Sequence, residues 1–357
     1  MSVEFVPRAP REIYHRREQA GISDSEVALP RQIAEIFETP LTGAYAWSYE
    51  DSDRKIRRLY ELAKKLNWNA SHDIDWSPTF PRSESPVVEG VNPFEGWAPF
   101  EALSASDRIE FAWHQHAWML SQFLHGEQGA LLVASQLVSC APTHDAKLYA
   151  ASQTFDEARH VEVFGRYLLD KIGFMYPVDE HLKLLLDKIL TDPRWDLKFI
   201  GMQLVIESLA LAAFHTQKMI ARDPLLSSIV DLVIRDEARH VAFGVTYMEE
   251  FVKSLNPLQR EQRAQFAYEA CIVMRERILG TAPLAHFGLD VEEGRKLMLD
   301  AVVMREFRKL LFTRIIPNLA RVGLITEKVR PLYAELGVLE YENLVHDGAI
   351  DWAKLDA

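Results

Sequence analysis

Asp156-Glu157-Ala158-Arg159-His160-Val161 recurs letter for letter as Asp236-Glu237-Ala238-Arg239-His240-Val241, 80 positions further along the chain. In each copy the Glu and the His stand at i and i+3. On a helix that spacing puts both on one face, one turn apart. A carboxylate oxygen and an imidazole nitrogen can then reach the same ion.

Two Glu-x-x-His pairs are half of a recurring kind of site. In four-helix bundles with a dinuclear carboxylate centre, two helices each give such a pair and the other two each give one Glu, all pointing inward. The chain supplies both single carboxylates. Glu127 lies in the apolar run 120–138 and Glu207 in the apolar run 199–214, each 30 residues before the Glu of a pair. A lone Glu-x-x-His is more often a solvated pair, and a lone buried Glu is often matched by an Arg. Two identical pairs, two isolated carboxylates and one common offset outweigh those readings. Four unpaired carboxylates in such surroundings would cost several kcal/mol each, which shared cations would offset.

The metal set is therefore Glu127, Glu157, His160, Glu207, Glu237 and His240, with Glu127 and Glu207 as the expected catalytic carboxylates. Four carboxylates and two imidazoles suit two iron ions, with manganese or a mixed Mn/Fe pair as the alternative, over the softer ions that thiolates select. With four ionised Glu and two ferrous ions the site is formally neutral, and dioxygen reduction is its natural use. Around it, Asp156 and Asp236 lie one turn before the ligand His residues, and Arg159 and Arg239 lie beside them. A carboxylate that accepts the free ring N–H of a ligand His fixes its tautomer. Each Asp is expected to serve the His of the opposite helix, with each Arg neutralising an Asp.

Length and composition bound the rest. A chain of 357 residues, 48% hydrophobic, can bury a large core. Its formal charge of −12, from 40 basic and 52 acidic residues, and the lack of a basic stripe argue against nucleic acid. Cys140 and Cys271 are the two cysteines, with no Cys-x-x-Cys spacing, so neither a disulfide framework nor a thiolate-held cluster is expected. Residues 1–32 lack the apolar core of a signal peptide, and the most apolar run is interrupted by Glu207. No membrane association and a cytoplasmic location are expected.

Along the chain, residues 1–40 read as a polar arm with a short helical pattern. Apolar positions 56, 59, 62, 63 and 66 define an amphipathic helix over 53–67 with a basic face. Between 68 and 100, Pro78, Pro81, Pro86, Pro93 and Pro99, with Trp68, Trp76 and Trp97, describe an extended strap pinned to the outside of the core.

From about 104 the core helices begin. The first runs to Cys140 and carries His116, Leu120, Phe123, Glu127, Leu131 and Ala134 on one face; the second spans about 143–172 and stops at Gly173. The third spans about 195–221, and Asp223-Pro224 caps the fourth. Asn256-Pro257 opens a fifth helix, another follows over 291–313, and Pro317 and Pro331 lead into an irregular tail. The fold class is all-α: a ferritin-like four-helix bundle over 104–254, an N-terminal arm, helix and Pro/Trp-rich strap over 1–103, and accessory helices packed on the bundle over 255–357.

The six candidate ligands and the doubled Asp-Glu-x-Arg-His resemble the ferritin-like di-iron carboxylate superfamily across residues 104–254. Its oxygen-activating branch includes the ribonucleotide reductase small subunit and related ligand-binding oxidases, multicomponent monooxygenase hydroxylases and aryl-amine N-oxygenases; the doubled phrase is most similar to the hydroxylases. The resemblance implies a di-iron oxygenase or oxidase that uses O2 and a separate electron-donor reductase. The chain departs from each branch at one position. Phe164 stands where radical-forming subunits carry Tyr, and Leu211 where the hydroxylases place Thr. Val233 stands where the N-oxygenases add a seventh ligand, a His, and Gly129 where the ligand-binding oxidases carry a cross-linked Val. Tyr149 and Tyr167, two turns from ligands, read as structural tyrosines.

Residues one turn from the ligands, Phe123, Ala130, Leu131, Phe164, Leu204 and Leu211, are apolar and bring no charge to hold an acid or phosphate. They define the expected pocket for a small apolar or aromatic substrate, in a chain expected to form a homodimer. Two other readings stand beside it: a ferritin-like protein that oxidises and handles iron, and a non-catalytic subunit of an oxygenase complex. A cavity beside the metals favours the enzyme over the iron handler, and six intact ligands disfavour the non-catalytic subunit.

Overall fold

The computed structural model describes residues 14–15, 37–39, 42–49, 53–277 and 279–349, and the chain is all-α. The expected polar arm over 1–40 lies almost wholly outside the described residues. A two-residue antiparallel pairing of Tyr14–His15 (β1) with Phe174–Met175 (β2) is the strand structure found among the described residues.

Helix α1, Arg54–Lys65, starts where Asp53 accepts from the amides of Lys55 and Ile56, and buries Ile56, Leu59 and Ala63. Lys64 and Lys65 lie in its last turn, which suits the helix dipole. The strap follows. Trp68 and Trp97 are buried, the Trp76 indole donates to the Ala70 carbonyl, and Trp113 on the next long helix donates to the carbonyls of Arg82 and Glu84. These bonds satisfy strap backbone that no helix or sheet could. The strap includes the short helix α2, Ala98–Glu101.

Helix α3, Ala105–Cys140, is capped by Ser104, and α4, His144–Arg166, by Thr143. Helix α4 passes without a break into a π-helical turn, Tyr167–Ile172, which closes on Gly173 at φ +94°, a conformation suited to glycine. Helices α5, Glu180–Thr191, and α6, Trp195–Phe199, come next. Helix α6 continues through a second π segment, Ile200–Ile206, into α7, Glu207–Ile220. Helix α8, Pro224–Lys253, begins at the Asp223 cap, where the carboxylate accepts from Leu225 at 2.9 Å. Helices α3 and α4 pack along one another, as do α7 and α8. The stretch Trp195–Ile220 is long and apolar enough to cross a membrane, yet 94% of its most apolar window is buried inside the fold.

Helices α9, Pro257–Arg277, α10, Ala282–His286, α11, Val291–Asp300, α12, Val302–Val322, and α13, Arg330–Glu335, complete the order. Two expectations are corrected here. The helix read over 291–313 is two helices parted at Ala301, and Pro317, expected to lead into the tail, lies inside α12. A proline within a helix costs about 3 kcal/mol through its missing N–H and ring clash. Burial of Leu311, Ile315, Ile316 and Leu319 against α7 and α8 offsets that, because each buried aliphatic side chain contributes roughly 1.5–3 kcal/mol. Helix α5 was not expected at all.

Candidate dinuclear metal centre

Glu127 projects from α3, Glu157 and His160 from α4, and Glu237 and His240 from α8. Glu207 stands where the π segment gives way to α7. Departures from α geometry of this kind recur at functional sites. All six side chains are buried, none more than 4% exposed.

Their donor atoms converge in two overlapping groups, Glu127, Glu157, His160 and Glu237, and Glu157, Glu207, Glu237 and His240, within each of which the atoms lie within 4.8 Å of one another. Glu157 and Glu237 belong to both. His160 Nδ1 lies 3.2 Å from Glu127 Oε2, 3.3 Å from Glu157 Oε2 and 3.0 Å from Glu237 Oε1. His240 Nδ1 lies 3.2 Å from Glu157 Oε1 and 3.1 Å from Glu237 Oε2. In both rings the nitrogen that faces the carboxylates is Nδ1.

The other nitrogen is engaged across the bundle. His160 Nε2 lies 3.2 Å from Asp236 Oδ2, and His240 Nε2 lies 3.2 Å from Asp156 Oδ2. Each Arg spans both aspartates rather than one: Arg159 donates to Asp156 and, at 3.0 Å, to Asp236, while Arg239 donates to Asp236 and, at 3.2 Å, to Asp156. The Trp68 indole also donates to Asp236, at 2.7 Å, and the Arg159 guanidinium lies over the Trp68 ring and bonds Asn67. The strap is thereby tied to the centre.

Two glutamines complete the surroundings and were not singled out from the sequence. Gln153 Nε2 donates to Glu157 Oε1 at 2.9 Å and to Glu207 Oε1 at 3.0 Å, and Gln203 Nε2 donates to Gln153 Oε1 at 2.9 Å. Both are fully buried, and each stands four residues before a glutamate of the centre. An amide in an apolar run one turn from a ligand was the signal that could have found them.

The donor set fits a pair of cations. With Nε2–H given to an aspartate, each imidazole presents a bare Nδ1 lone pair to carboxylate oxygens about 3 Å away, an arrangement that repels unless a cation or proton intervenes. Glu157 Oε2 and Glu237 Oε1 are buried without a hydrogen-bond donor of good geometry. Burial, then the Glu237 charge, raises the Glu127 and Glu207 carboxyls well above their usual range. Burial lowers His160 and His240, yet the surrounding carboxylates raise both well above the usual imidazole range. The chemistry is that of a dinuclear iron or Mn/Fe centre.

Of the six expected pocket residues, Phe123 alone lines a cavity of about 420 Å³ bounded by α3, α7, α12 and the strap. Its ring meets Phe214 at 4.8 Å and Phe164 at 5.9 Å, so three phenylalanines form a wall one or two turns from Glu127, Glu207 and His160. Ala130, Leu204 and Leu211 are packed into the main core, Phe164 stands behind Phe123, and half-buried Leu131 does not reach the cavity. Lying one turn from a ligand leaves a side chain on a helix, but the neighbouring helices cover most of those faces.

Residues 49–323 match the family model for p-aminobenzoate N-oxygenase AurF. Uncharacterized proteins of Mycobacterium bovis and Mycobacterium tuberculosis are 23% identical over 221 residues, 57% of this chain, and the match spans 63% of their length. Among solved structures, an R2-like ligand-binding oxidase variant with anaerobically reconstituted Mn/Fe cofactor is 19% identical, covers 74% of this chain and 94% of that one, and superposes with a TM-score of 0.47. A second variant, reconstituted aerobically, is 18% identical over 78% of this chain and 96% of that one, with a TM-score of 0.49. Val233, where N-oxygenases were expected to carry a seventh, histidine ligand, is fully buried and offers no donor. With a match over most of its length, the chain belongs to the p-aminobenzoate N-oxygenase AurF family of ferritin-like di-iron oxidoreductases.

Proposed function

We propose that this protein activates O2 to oxidise a small aromatic or apolar organic molecule, with electrons from a separate reductase. The observation that carries the reading is the pair of buried donor groups sharing Glu157 and Glu237, beside an apolar cavity walled by Phe123. Glu127 and His160 would hold one ion and Glu207 and His240 the other, with Glu157 and Glu237, present in both donor groups, contributing to each. A pair of iron ions, or of manganese and iron, would supply there the capacity to bind and reduce dioxygen.

The chain's own residues do the rest. Asp156 and Asp236 hold the imidazoles in the tautomer that leaves Nδ1 free, while Arg159 and Arg239 offset the aspartate charge. Gln153 orients Glu157 and Glu207 together. The trio Phe123, Phe164 and Phe214 keeps water from the centre on the cavity side.

The family description points to an aryl amine as the substrate and its nitrogen as the atom oxidised. The cavity favours a small-molecule enzyme over an iron handler, and the complete set of six donors disfavours a non-catalytic subunit. A homodimer working in the cytoplasm is part of the proposal. The test is oxygen uptake by iron-loaded protein, with a chemical reductant, in the presence of aniline. Uptake coupled to a hydroxylamine or nitroso product supports the reading, and no uptake with or without amine removes it.

A further inference from the structure

Helix α1 carries a charge opposite to that of the molecule. Six of its twelve residues are basic and one is acidic, in a chain whose formal charge is −12. Ile56, Leu59 and Ala63 are buried against the bundle, so Arg54, Arg58, Glu61 and Lys65 fall in one line on the opposite side, beside Lys55 and Lys64, and all six are exposed. Lys64 pairs with Glu61 at 2.7 Å, whereas Arg54, Lys55 and Arg58 have no ion-pair partner among the described residues. Arg54 and Arg58 stand at i and i+4, a like-charge spacing that mildly destabilises a helix. The stripe therefore gives folding nothing that a neutral face would not, and a partner of opposite sign is what it suits.

Its place in the fold says which partner. Helix α1 packs on α4 and α8, the two helices that carry the repeated phrase, and its C-terminal end runs into Asn67 and Trp68. There a stack of groups leads from the surface to the donor cluster. Phe155 is 58% exposed, the Arg159 guanidinium lies 5.0 Å from its ring and 4.8 Å from that of Trp68, and the Trp68 ring stacks on that of His160 at 6.4 Å. An exposed aromatic anchor beside charges that steer is the make-up of a protein contact. The stripe is about 18 Å long, from twelve residues at about 1.5 Å each. A contact of that size matches the small, transient interfaces of electron-transfer encounters.

We propose that the outer face of α1, with Phe155 at its end, is the docking surface for the electron donor, and that the donor is a small acidic one-electron carrier of the ferredoxin kind. The proposal rests on the reading above that electrons come from a separate protein, and names the surface and the charge of that partner. The acidic balance of the chain repels such a carrier elsewhere, so encounters are steered to the face that lies over the donor cluster. Each reduced carrier delivers one electron and leaves oxidised. Two encounters supply the two electrons that, with two protons, take one atom of O2 to water as the other enters the organic substrate.

Calorimetric titration of the metal-loaded protein with oxidised plant-type ferredoxin, an acidic iron–sulfur protein, reads docking without turnover. The expected result is binding at low ionic strength that weakens steeply as salt is added. Arg54→Glu combined with Arg58→Glu weakens it about tenfold or more at low salt. Phe155→Ala weakens it roughly fivefold with the salt dependence unchanged. No ferredoxin binding at low salt, or binding that the double charge reversal leaves unchanged, would overturn the proposal. So would tighter binding to anionic phospholipid vesicles that the same reversal abolishes, since the face would then belong to a membrane surface. Should the double variant fail to fold, hydrogen exchange of the wild type decides: ferredoxin-dependent protection of α1 supports the docking face, and protection confined to other segments refutes it. Dithionite needs no docking surface and is expected to drive equal oxygen uptake in the wild type and the double variant. Its failure in the wild type would count against the enzyme reading alone and leave the binding result standing.

Discussion

Asp156, on α4, reaches across the bundle to His240, on α8, with 3.2 Å between Oδ2 and Nε2, and Asp236 returns the same contact to His160. The repeated phrase is thus closed on itself, because each copy supplies the carboxylate that orients the imidazole of the other. This exchange makes the two halves of the centre interdependent.

Asp156→Ala leaves the His240 tautomer unfixed and removes one acceptor from both Arg159 and Arg239. Loss of such a supporting partner typically lowers metal affinity about 10–100-fold. Competition titration with a chelator measures it, and the drop is expected in both metals, since both guanidinium groups lose a partner.

Glu207→Ala removes a donor from the second group only. The expected outcome is one tightly bound metal per chain, by elemental analysis of the dialysed protein. Retention of two would contradict the assignment.

Gln153→Leu withdraws the amide that donates to Glu157 and Glu207 and leaves Gln203 Nε2 without its acceptor. Buried groups left unsatisfied cost about 1–3 kcal/mol each. Urea unfolding of the metal-free variant should show destabilisation of about 2 kcal/mol or more relative to wild type.

Gly244→Ala tests the close approach of α8 to the π segment. A Cβ at Gly244 would stand 2.5 Å from the Gln203 Cβ and 3.2 Å from its carbonyl carbon, atoms that no rotamer change can move aside. Overpacking of this kind costs about 1–3 kcal/mol, read as a lower urea midpoint with an unchanged slope.

Both cysteines are buried, and burial pushes the Cys271 thiol up to about 12. Burial also raises Cys140, against the charges of Lys198 and Lys147. At pH 8 neither should react quickly with a thiol reagent in native protein, and both should titrate once it is unfolded. Fast labelling of the native state would show that the core around them opens.

The donor cluster was legible because its members break local rules. Glu127 and Glu207 are carboxylates where burial calls for aliphatics, and the doubled Glu-x-x-His puts two donors on one helix face. Helix ends were legible for a similar reason, since Asp223-Pro224 and Gly173 are local chemistry. The glutamines Gln153 and Gln203 were missed because an amide in a helix signals nothing until its partner on another helix is known. Helix α5 was legible and passed over: Leu182, Leu185, Leu186, Ile189 and Leu190 stand at helical spacing behind the Asp179 cap. The cavity was not legible. Its wall is assembled from the strap, α3, α7 and α12, which are distant in the chain, so spacing from the ligands selected Phe123 together with side chains that pack elsewhere.

The most direct measurement is metal content with an optical spectrum, on protein loaded anaerobically with Fe(II) and then exposed to oxygen. The account predicts about two irons per chain and a transient visible band as dioxygen reacts. One iron or none, or two irons inert to oxygen, would contradict a dinuclear centre that activates O2.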